Sequence, residues 1–114
     1  MDDLAGLYIA TLKLLGDTLV TMTSAEWDAA MQDATVAQRR NAALLMLRVQ
    51  EARLTLANAA LGDILEALTA NEDGLQKGIV RLRNSLESFE RMEKVLNSIS
   101  SVLSIVARIV PLIA

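Results

Sequence analysis

Between Thr35 and Val110 apolar side chains recur every three or four positions, and turn residues interrupt them only once, at Asn71-Glu72-Asp73-Gly74. That period belongs to helices and not to strands, whose faces repeat every two residues. The pattern predicts two long helices folded back on each other, an antiparallel hairpin over 35–110 with its turn at 71–74. Residues 1–33 then form two N-terminal helices packed on the open end. The expected architecture is all-α and four-helix-bundle-like, a single domain over 1–114.

In the first arm Leu44, Leu47, Leu54, Leu61, Leu65 and Leu68 step by threes and fours once Glu51 and Asn58 fill the gaps. Such a series is the seam of a helix facing another helix. A second stripe of Leu45, Val49, Ala52, Leu56 and Ala60 runs beside it. The arm should begin at Thr35, where Thr35 and Gln38 can form a capping box. It should end at Asn71, a residue that tolerates the left-handed conformation after a helix, with Asp73 capping the second arm.

The second arm carries Leu75, Ile79, Leu82, Leu86, Phe89, Met92, Leu96, Ile99, Leu103, Val106 and Val110. Folding about the turn pairs Leu68 with Leu75, Leu61 with Leu82, Leu54 with Phe89 and Leu47 with Leu96. Asn58 falls opposite Leu86, where a lone polar residue would fix register.

In the N-terminal third, Leu4 to Met22 reads as a helix with a broad apolar face, and Lys13 and Asp17 are spaced to pair along it. Thr23-Ser24-Ala25-Glu26 looks like a second capping box, opening a short helix over 24–32 anchored by Trp27. The few aromatic residues and the single Pro, Pro111, fit an aliphatic helical core.

Charge is unevenly spread about the net value of −3. Residues 1–33 set six acids against Lys13, and residues 34–62 set Arg39, Arg40, Arg48 and Arg53 against Glu51. Residues 63–74 are purely acidic, and residues 75–114 are again basic. An acidic N-terminal part therefore complements a basic first arm.

Much chemistry is excluded. Without His there is no Ser-His-Asp triad and no imidazole ligand. Without Cys there is no thiolate metal site. Glu87, Glu90 and Glu93 are interleaved with basic residues and read as an ion-pair face, Glu87 with Arg83 and Arg91, Glu90 with Lys94. No Gly-rich phosphate loop occurs, and Arg39-Arg40, Arg81 and Arg83 have no aromatic platform beside them. No enzyme, cofactor, metal, small-molecule substrate or nucleic acid is expected.

From Val95 to Ala114 the one charge is Arg108. Either the N-terminal helices cover this half within the chain, or a 95–114 helix enters or lies on a bilayer, as in a small pore-forming or toxin-like component. Its Ser and Asn content makes it a poor single span, so the first reading is preferred. With apolar residues at 53 %, some apolar surface is left for a partner. The functional expectation is a non-enzymatic module acting by helix–helix association, with itself or another helical protein, through Leu96, Ile99, Leu103, Val106, Ile109 and Leu112. The alternative is membrane action by the C-terminal helix. No signal peptide is visible, so the cytoplasm is the default, with leaderless export or membrane association left open.

Overall fold

Local capping chemistry sets where the early helices begin. Thr35 Oγ1 accepts from the Gln38 N–H at 3.0 Å while Gln38 Oε1 accepts from the Thr35 N–H at 3.0 Å, a complete capping box. Ser24 Oγ, rather than Thr23, accepts from the Trp27 N–H at 3.1 Å. The second expected box therefore does not form: Ser24 caps α2 alone, with Trp27 and not Glu26 at the third helical position, and Thr23 bonds back to the Leu19 and Val20 carbonyls.

The computed structural model describes residues 4–110, all-helical and without a strand among them. Its elements are α1 (Leu4–Met22), α2 (Ala25–Gln32), α3 (Val36–Asn58), α4 (Leu61–Ala70), α5 (Glu72–Ser85) and α6 (Met92–Ile109). The helices pack against each other as a bundle around a single apolar core. Pro111 to Ala114, including Leu112, lie outside the described residues.

Both expected arms are broken. The first divides at Ala59-Ala60, two residues in extended conformation flanked by Asn58 and Gly62. Tyr8 explains how the break is tolerated. Its hydroxyl donates to the Leu56 carbonyl at 2.9 Å, which also accepts from the Ala59 N–H at 3.2 Å, and lies 3.4 Å from the Ala59 carbonyl, so α1 brings a donor to the helix end. The second arm divides at 86–91, and α6 folds back along α5. There the Ser85 and Ser98 hydroxyls are 2.9 Å apart. Farther along, a Cβ placed on buried Gly78 would lie 3.4 Å from Val102 Cγ2. With helical continuity lost, Glu87 and Glu90 sit in the loop and the ion pairs expected for them along one helix do not form.

The turn itself is shorter than expected. Asn71 alone separates α4 from α5, at φ −112° and ψ 9°, and its Nδ2 donates to the Ala67 carbonyl at 2.8 Å. No described residue has positive φ, so the left-handed cap is replaced by this side-chain bond. Asp73 lies inside the first turn of α5 and pairs with Lys77 at 3.0 Å.

The main neighbours of α6 are α5 and α3, while α1 packs on α3, α4 and α5. The apolar half of α6 is therefore covered within the chain, though not by the N-terminal helix expected to do it. Only one side of α1 is buried, along Leu7, Thr11, Leu14, Leu15, Thr18 and Met22. Its two inward threonines donate to the Leu7 and Leu14 carbonyls at 2.8 and 2.7 Å, which is what admits hydroxyls to the core. Trp27 anchors α2, 3 % exposed and edge-on to Phe89 with ring centroids 5.2 Å apart. Phe89 thus faces α2 from the α5–α6 loop and not Leu54.

Candidate functional site

Five of the six residues expected to make contacts with a partner face inward. Leu96, Ile99, Leu103, Val106 and Ile109 are all buried on α6, packed into the chain's own core. Leu112 lies outside the described residues.

An unfilled apolar face lies elsewhere, on α3. This helix carries two stripes, and at about 100° per residue they point to nearly opposite sides. One stripe, Ala42, Leu45, Val49, Ala52 and Leu56, is buried. The other contains Leu44, Leu47 and Leu54, exposed at 48 %, 64 % and 62 %. By periodicity these three are expected to form the intrachain seam, with the buried stripe merely beside them. The structure reverses the assignment: Leu54 and Leu47 point to solvent, and so does Asn58, which fixes no register. The reason is that α6 turns back on α5 at the 86–91 loop. Both α6 and α1 pack on α3, and the side of α3 that is buried carries Leu45 and Val49 rather than the seam.

Exposed large apolar residues elsewhere are scattered: Ile9 and Val20 on α1, Leu65 on α4, Val80 on α5. Isolated residues of that kind are ordinary on a protein surface. On α3 they accumulate, since Val36 joins the three leucines. Arg40 and Glu51 lie along the same side, Arg40 exposed and Glu51 half-buried. The capping box and Arg39 hold the helix start in place, with Arg39 Nη1 donating to the Ala34 carbonyl at 2.8 Å. The face is thus presented on a rigid support about 34 Å long.

The chief concavity is a cleft of about 690 Å³ between α2, the start of α3 and the α5–α6 hairpin. Its charged rim mixes Arg81, Arg91 and Lys94 with Asp33, Glu90 and Glu93, all exposed. Such a rim does not favour one sign of ligand. Among the described residues, no buried side-chain nitrogen or oxygen lacks a hydrogen-bond partner. Nor do the described residues gather three or more carboxylates where they could hold a metal ion.

The pattern of threes and fours through Leu44, Leu47 and Leu54 was the signal for this face. What the periodicity could not reveal is which stripe the rest of the chain would use. No family model matches the chain, and no curated protein or solved structure shows significant similarity to it.

Proposed function

We propose that the protein is a non-enzymatic interaction module that acts by docking a helix on the outward face of α3. One observation carries the reading: a helix whose buried side is already complete repeats a seam-like apolar stripe on its solvent side. A stripe at that spacing has the form of a helix–helix contact. Its apolar residues gain nothing from water and would be covered by an occupant helix.

The test is the pair Leu47→Glu and Leu54→Glu, compared with wild type by light scattering across a concentration series. Association should be lost in both variants, with helicity and melting midpoint unchanged. Association that survives both substitutions overturns the reading.

Membrane action is the second reading, and α1 carries it better than residues 95–114. Among the described residues α1 is the one helix long and apolar enough to cross a membrane, and only 28 % of that window is buried. Against it, Leu14, Leu15 and Met22 already belong to the core and would have to leave it. Liposome flotation distinguishes the two. Binding that is abolished by Ile9→Glu and Val20→Glu but indifferent to Leu47→Glu would favour the membrane.

A further inference from the structure

The outward stripe of α3 is complementary to itself when reversed. Ala37, Arg40, Leu44, Leu47, Glu51 and Leu54 follow one another at steps of three and four, and each is exposed or half-buried on the solvent side. Turn the series end for end about the point between Leu45 and Met46. Ala37 then meets Leu54, Arg40 meets Glu51, and Leu44 meets Leu47. Every apolar residue falls opposite an apolar residue, and each charge opposite its counter-charge. An antiparallel helix pair layers its two seam positions in this crossed manner. A parallel pair would instead set Arg40 on Arg40 and Glu51 on Glu51, which repel.

We propose that a second copy of this chain occupies the face, α3 against α3, antiparallel about a two-fold axis at its centre. This rests on the reading of α3 as the docking helix and names the occupant. The symmetry repeats each contact: two Leu44–Leu47 layers at the centre, an Arg40–Glu51 pair beyond each, and an Ala37–Leu54 layer at each end. Within the chain the Arg40 and Glu51 side chains enter no ion pair among the described residues, so both are free for the partner. The ion pairs set direction and register, and the leucines supply the apolar burial.

The paired stripe from Ala37 to Leu54 is about 26 Å long. That is one helix pair, a small contact beside the about 1,200–2,000 Å² of a tight standard interface. The dimer should therefore dissociate on dilution, with a dissociation constant on the order of micromolar.

Charge reversal tests the arrangement in the full chain, read by sedimentation equilibrium. Arg40→Glu alone and Glu51→Arg alone should each weaken the dimer by on the order of tenfold or more, since like charges then meet at both ends. An equimolar mixture of the two variants should dimerise, because one copy presents two acids where the other presents two bases. The double variant R40E/E51R should dimerise with itself. Unchanged far-ultraviolet circular dichroism and melting of each single variant would exclude misfolding, and recovery in the mixture requires both to be folded. An oligomer sensitive to Leu47→Glu but indifferent to both charge reversals overturns this register and leaves the docking face standing. An oligomer indifferent to Leu47→Glu as well overturns both readings. A wild type that is monomeric at millimolar concentration overturns the second-copy occupant and leaves the face to a foreign helix.

Discussion

Leu54 and Leu56 stand two residues apart on α3 and occupy opposite environments. Leu56 is fully enclosed, whereas Leu54 is mostly in solvent. Truncating Leu56 to Ala leaves a cavity among packed neighbours and should cost about 2–5 kcal/mol. Leu54→Ala should change stability by no more than about 0.5 kcal/mol at concentrations where the protein is monomeric. Urea denaturation of the two variants checks this directly, and equal losses would mean the stripes are assigned the wrong way round. Tyr8 offers a second residue-level test. Tyr8→Phe removes the donor to the Leu56 carbonyl and should cost about 0.5–1.5 kcal/mol, the net worth of one hydrogen bond.

Element boundaries show what a one-dimensional pattern records and what it does not. The start of α3 was legible to the residue, because Thr35 and Gln38 carry the cap in their own side chains. Thr35→Ala should accordingly cost about 1 kcal/mol, read by thermal melting. The break at Ala59-Ala60 was not legible, since alanine is the best helix former and the weak helix formers beside it, Asn58 and Gly62, are each tolerated singly inside a helix. There the instruction is tertiary: Ile64 and Leu68 must reach the core, and the hydroxyl that donates at the helix end comes from Tyr8, some fifty positions earlier. The 86–91 break had the same cause, with α6 finding α5 through Gly78 and Val102 as well as α3. The seam on α3 was legible as a pattern while its occupant was not, because periodicity names a face and says nothing of which chain covers it. Gly74 provides a test inside α5. A Cβ there would meet only Ile105 Cδ1 at 3.8 Å, ordinary contact, so Gly74→Ala should stabilise by about 0.5–1 kcal/mol.

At the scale of the molecule, the backbone extends 44 × 27 × 19 Å, and the shortest dimension holds about two layers of helices. Most helices therefore keep one side in water, and α6, with nine buried residues, comes nearest to being enclosed. Hydrogen exchange should be slowest in the middle of α6 and fastest through 86–91, a loop whose residues are mostly exposed. Faster exchange in α6 than in α2 would contradict this arrangement. The edge-on contact of Trp27 with Phe89 also decides what the protein's fluorescence reports. Trp27 is the sole indole, and its ring is sealed where α2 meets the α5–α6 loop. Its emission should be blue-shifted in the native state and should redden when that junction opens. A partner docking on α3 cannot touch a ring this deeply covered, so the same light should report unfolding while remaining blind to association.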